Sequence, residues 1–215
     1  MGLVRDLEAK EAAERRKLLE ATLSYLQNLR IDARLIEEPA MYQFGMDINE
    51  SVIQIKGQNI NHIRLNSADF VSCGVMGSIS RFQYEVTLDK KLTHKSSQQI
   101  RARTKSVKEQ KKLGLFGGRI TGVNWIGKGL AELLNSDNEI SKILLACARA
   151  GGEPEFKVQT KPPSSIDILG PRFIKPQRIM DLLAADSKER FEECIFGYKI
   201  CDRIARHARE LATTW

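Results

Sequence analysis

The octet Arg81 to Leu88 places Phe82, Tyr84, Val86 and Leu88 on one side of an extended chain and Gln83, Glu85 and Thr87 on the other. Side chains alternate with period two along a strand, so this stretch reads as a strand with one apolar and one polar face, as in an antiparallel sheet. The alternation recurs from Ala33 to Ile126, where Gly, Asn, Asp and Ser separate short β-rich runs. Candidate strands are Ala33 to Glu37, Val52 to Lys56, Ile60 to Leu65, Phe70 to Met76, Arg81 to Leu88, Gln98 to Val107 and Arg119 to Ile126. Lys56-Gly57-Gln58-Asn59 and the Gly114 to Gly118 stretch supply turns.

Helical signals flank this region. From Gly2 to about Arg30 there is no proline or second glycine, and opposite charges recur four apart at Asp6/Lys10, Glu11/Arg15 and Arg16/Glu20. Leu19, Leu23 and Leu26 form an apolar stripe suited to docking on a core. Nine of residues 1–17 are charged, which predicts a solvated arm or one side of a helix pair there. Downstream, Gly129 to Asn135 reads as a short helix, and Ser136-x-x-Glu139 as a capping box opening a second that Gly151 and Gly152 end. Phe156 to Gln159 and Ile166 to Leu169 read as short strands around Pro162-Pro163. Asp186-x-x-Glu189 caps a last helix towards Ala212, with Phe191, Cys194, Ile195, Tyr198, Cys201, Ala205 and Ala208 on its apolar face.

This order predicts an α+β fold: an antiparallel meander sheet of about seven strands flanked by an N-terminal helix and C-terminal helices. In outline it is similar to pleckstrin-homology-like domains, which implies the alternative of such a barrel core with added helices. The likeness is one of element order and carries no function. Residues 1–30 are expected to form an amphipathic helix or arm, and 31–215 a single α+β domain, with its sheet in 31–128 and a helical part with a small β insertion in 129–215.

A 215-residue chain that is 42% hydrophobic and 28% charged can bury roughly 70% of its unfolded surface without staples. Cys73, Cys147, Cys194 and Cys201 include no CxxC pair, which argues against a disulfide framework or zinc ribbon and predicts a reducing, cytoplasmic setting. No apolar run approaches a membrane span, and no hydrophobic signal core is present. Cys194 and Cys201 lie about 10 Å apart along a helix, too far to share a bond or a metal. Gly114-Leu115-Phe116-Gly117-Gly118-Arg119 lacks the Lys-Ser/Thr of a phosphate loop, and Asp47-x-Asn49-x-Ser51 lacks the glycine and glutamate of a calcium loop. His62, His94 and His207 have no carboxylate or thiol partner evident nearby in sequence. No catalytic residue, metal or cofactor is therefore expected. The alternative of an enzyme assembled from scattered residues has Asp47, His62 and Cys73 as its available groups.

One signal points to a ligand. Between Arg81 and Lys128 lie twelve basic and three acidic side chains, a local charge of +9 against +7 for the whole chain. As a strand, Gln98 to Val107 would align Arg101, Arg103 and Lys105 at about 6.6 Å intervals. As a helix, it would align Arg101, Lys105, Lys108 and Lys112. With Lys111 and Arg119, these residues predict a polyanion-binding hairpin, its partner a nucleic acid or an anionic lipid surface. The competing explanation is that lysines keep an exposed hairpin soluble and its edge unpaired. A protein partner, or self-association through the N-terminal helix, would use the same features. The expectation is thus a soluble non-enzymatic binding or interaction module.

Overall fold

The strand β4, Val75–Thr87, contains the alternating run as far as Thr87 and pairs along both of its edges, so the sheet is assembled on it. The computed structural model describes residues 2–41, 47–72, 75–108, 120–149, 154–174 and 197–214. Along one edge, β4 pairs with β3, His62–Ser72, from His62↔Glu85 to Ser72↔Val75. Along the other it pairs with β8, Ser165–Leu169, and with the two-residue β9, Phe173–Ile174. The remaining strands are β1 (Ala33–Met41), β2 (Asp47–Ile55), β5 (Ala102–Lys108), β6 (Ile120–Gly127) and β7 (Lys157–Lys161). Every pairing is antiparallel, in the order β1-β2-β3-β4-β8-β7-β5-β6.

The fold is α+β, with an antiparallel sheet flanked by helices. Its connections form a meander through β1 to β4, after which the β7–β8 hairpin, late in the chain, lies between β4 and β5. The barrel alternative is corrected. β1 and β6 end the order without pairing with each other, so the sheet is open. Two expected strands also change. The expected strand Phe70 to Met76 divides, Phe70 to Ser72 ending β3 and Val75 and Met76 opening β4, paired at Val71↔Met76 and Ser72↔Val75, because alternation alone does not distinguish one strand from two. Gln98 to Ile100 closes the helix α2, His94–Ile100, whose start is fixed by reciprocal bonds between Thr93 and Ser96, and β5 begins at Ala102.

All five described helices bury side chains in one cluster on the apolar side of the sheet. Phe82, Tyr84 and Val86 of β4 lie there with Ile63, Ile166 and Ile168 of its neighbours. The helix α1, Gly2–Asn28, lies against β1 and β2, with Leu19 and Leu26 buried and Leu23 partly so, as its stripe predicts. Side chains of residues 2–12 and 14 are outside those described, so most of the solvated-arm expectation falls there; Ala13, Arg16 and Lys17 are exposed. α3, Leu130–Ser136, and α4, Asn138–Arg149, cover β6. α5, Tyr198–Thr213, buries Tyr198, Cys201, Ala205 and Ala208. Gly151, Gly152, Asp186, Glu189, Phe191, Cys194 and Ile195 lie outside the described residues. No helix among those described is long and apolar enough to cross a membrane.

The expected cap at Ser136 is displaced by one residue. Ser136 is the last residue of α3, and its hydroxyl donates back to the Leu133 carbonyl at 2.7 Å. Asp137 caps α4 instead, its carboxylate accepting from the Glu139 and Ile140 N–H groups at 3.0 and 3.2 Å. Its other oxygen meets His207 Nε2 of α5 at 2.9 Å, with Arg203 Nε at 3.7 Å, so one carboxylate joins two helices. Burial pushes the Asp137 pKa up, but the His207 hydrogen bond, the backbone donors and Arg203 together outweigh it and hold the group below its ordinary 3.8.

Asp137→Ala is therefore expected to cost about 0.5–2 kcal/mol near neutral pH, the usual range for a lost N-cap. A depressed folded pKa gives stability that is fully present above the unfolded value and disappears as pH falls through the folded one. Urea titrations across acidic pH should show the gap between wild type and Asp137→Ala narrowing below about pH 3.8. A gap unchanged with pH would contradict this role.

Candidate polyanion-binding face

The transition from α2 to β5 sets the basic side chains on the solvent side of the sheet. Ile100 is fully buried and ends the helix, and Arg101 turns to extended geometry at φ −66°, ψ 123°. From there the chain alternates: Ala102 is buried, Arg103 and Lys105 are exposed, and Thr104 is half-buried between them. Thr104 fixes this phase. Its hydroxyl donates to the Pro154 carbonyl at 2.7 Å and accepts from Phe156 N–H at 2.8 Å, while its own N–H donates to the Phe156 carbonyl at 2.9 Å.

The same contacts bring β7 alongside, with Ala102↔Val158 and Arg103↔Lys157 in register. Lys157, which lies outside the basic segment of the sequence, thus stands exposed beside Arg103. Arg101, Arg103 and Lys157 line a depression of about 460 Å³ whose other walls include Ile126, Gly127, Gln159 and Thr160. Arg101 Nε reaches Thr160 Oγ1 at 3.4 Å. Gly127 is required at the floor, because its φ is +150° and a Cβ there would overlap the Arg101 carbonyl oxygen. A second depression of about 650 Å³ adjoins the first at Ile126 and is lined by Lys105, Val107, Asn124 and Asn135 among others. Val107 and Ile126 are 42% and 40% exposed, two apolar side chains separated by the Lys105↔Asn124 pair.

Among the described residues, none of Arg101, Arg103, Lys105 or Lys157 has a carboxylate partner. The acidic residue nearest by register, Asp167 of β8 opposite Gln159, pairs with none of them. Lys108 is exposed at the end of β5 and has a contact of its own. Lys111, Lys112 and Arg119, with the glycine run, lie outside the described residues. Lys90 is separate from this group, its Nζ donating to the Thr213 carbonyl at 3.1 Å. The structure therefore brings together Arg101, Arg103 and Lys105 of the expected set and adds Lys157. Only the strand pairing reveals Lys157; no local pattern marks it.

His62 and His207 find carboxylate partners across the fold. His62 lies 4.0 Å from Glu38 and 3.8 Å from Glu85, and Arg64 bridges the same two carboxylates at 2.6 and 3.7 Å. This group lies on the β1–β4 half of the sheet and lines neither depression. His94 is exposed at the start of α2. Cys73 and the side chain of Asp47 are outside those described. No three His, Cys, Asp or Glu side chains among the described residues converge as metal ligands would.

The edge strand β6 carries Ile126 on this face, pairs with β5 along its length and is also braced by one side chain. The Asn135 carbonyl oxygen accepts from Trp125 N–H at 2.8 Å, and its amide donates to the Trp125 carbonyl at 2.9 Å, as a neighbouring strand would. Asn135→Ala leaves both backbone groups without these bonds and is expected to destabilise the protein by about 1–3 kcal/mol. Urea unfolding measures the cost, and hydrogen exchange should show faster exchange at the Trp125 amide. A neutral substitution would refute the bracing role. Compared with known proteins, the chain matches no family model, no curated protein and no solved structure.

Proposed function

We propose that this protein is a non-enzymatic binding module whose solvent-side β5–β7 surface contacts a polyanion. The observation that carries the reading is the exposed group of Arg101, Arg103, Lys105 and Lys157, none with a described carboxylate partner. Edge protection explains these charges poorly. β5 is flanked by β6 on one side and, at Ala102 and Arg103, by β7 on the other, so Arg103 stands inside the sheet. The actual edge, β6, has no charged residue from Ile120 to Gly127. Charges that serve to deter edge pairing belong on the edge.

The pair Arg103↔Lys157 supports the same reading energetically. Like charges directly opposite one another across two strands destabilise a sheet. A polyanion would relieve that repulsion, and clustered cations attract it more strongly than dispersed ones.

Retention on immobilised heparin is the test. Arg103→Gln/Lys105→Gln/Lys157→Gln should elute at clearly lower salt than wild type and unfold at equal or higher urea, the stability gain amounting to a few tenths of a kcal/mol. The control Lys142→Gln/Arg172→Gln/Arg206→Gln removes equal charge from exposed sites elsewhere and should elute near wild type. Equal shifts for both triples would reduce the effect to net charge and overturn the proposal.

A further inference from the structure

We propose that the polyanion is a single strand of nucleic acid, lying along β5 with successive phosphates near Arg101, Arg103 and Lys105, with Lys157 beside Arg103 on the same phosphate, and bound with little regard to sequence. This rests on the polyanion reading above and specifies its ligand. The first ground is spacing. Arg103 and Lys105 are two residues apart on a strand, about 6.6 Å, which is commensurate with the separation of neighbouring phosphates on an extended nucleic-acid strand.

The second ground is shape. Arg101, Arg103 and Lys157 line one depression and Lys105 a second that adjoins it at Ile126 and reaches round the edge of β6 to Asn135 and Ser141, so the cations border recesses rather than a protruding knob. Across β6, β5 and β7 the surface spans about 10 Å, two inter-strand spacings. A B-form duplex is wider than that, its major groove alone being about 12 Å across. A planar bilayer does not enter a recess, whereas a flexible single strand does.

The third ground is the chemistry between the cations. Asn124, Gln159 and Thr160 offer neutral donors and acceptors to sugars and base edges, and Ile126 and Val107 offer apolar surface to base faces. None of the residues lining the first depression is aromatic, and the one aromatic lining the second, Trp125, is buried. Base–aromatic stacking, worth about 1–3 kcal/mol per base where present, therefore contributes little here. Affinity falls to the phosphates and discriminates weakly among bases.

Fluorescence anisotropy with labelled twelve-nucleotide oligothymidylate, oligoadenylate and a mixed sequence tests this on the full chain. Three phosphate contacts to a single strand imply a log–log salt slope of about −2.1, or roughly eighteen-fold weaker binding at 200 mM than at 50 mM salt. The three oligonucleotides should bind within about threefold of one another, and a duplex of equal length should bind more weakly. In Arg103→Gln/Lys105→Gln/Lys157→Gln, leaving about one contact, the slope should fall to about −0.7. Preference for the duplex, for poly-glutamate or for phosphatidylserine vesicles would overturn the single-strand inference. If the triple variant also loses that preferred ligand, the polyanion reading stands; if it binds every probe as wild type does, both fall.

Discussion

The β4–β8 ladder, running from Gln83↔Leu169 to Thr87↔Ser165, joins two halves of sheet that are distant in sequence. One half is the β1–β4 meander, and the other is built from β8, β7, β5 and β6. The ladder is held by burial. Tyr84↔Ile168 and Val86↔Ile166 place four fully buried side chains in two cross-strand pairs on the apolar face. Truncating one such side chain costs about 2–5 kcal/mol, set against a total stability of about 5–15 kcal/mol for a typical domain. The attachment of β7, and through it the position of β5, depends on that contact.

The same ladder determines the electrostatics of the solvent side. With β7–β8 inserted, the polar face divides into two regions of different character. Over β1 to β4 the charges compensate one another, with Glu38, His62, Arg64 and Glu85 drawn together across three strands. Over β5 and β7 the exposed charge of Arg101, Arg103, Lys105 and Lys157 is uncompensated by described carboxylates. The neighbouring edge, β6, is braced by Asn135 and covered on its apolar side by α3 and α4, so it does not rely on charge. Arg103 thus stands between two paired strands, beside an edge strand that carries no charge of its own.

Local signals were legible wherever neighbouring residues settle the outcome. The Leu19, Leu23 and Leu26 stripe, the β4 alternation and the two strands around Pro162-Pro163 are set by period and turn chemistry within a few residues. The misreadings occurred where two local patterns compete. Ser136 and Asp137 are both good caps, and which one serves depends on where α3 stops and on His207 arriving from α5. Gln98 to Ile100 fits strand or helix alike until Thr93 and Ser96 cap α2 and Ile100 packs into the core. A basic ridge was readable because either periodicity aligns cations, Arg103 joining it only as a strand, whereas Lys157 was not, because a cross-strand neighbour leaves no trace in local spacing.

The amino-acid sequence by itself determined the element types, the α+β class and the charge of the middle segment, since these depend on period, capping and composition over short range. Tertiary structure alone decided that the sheet stays open, that a late hairpin enters it between β4 and β5, and that Lys157 stands beside Arg103. Those outcomes follow from which apolar faces bury together across more than fifty residues of chain, and no local pattern encodes such a choice.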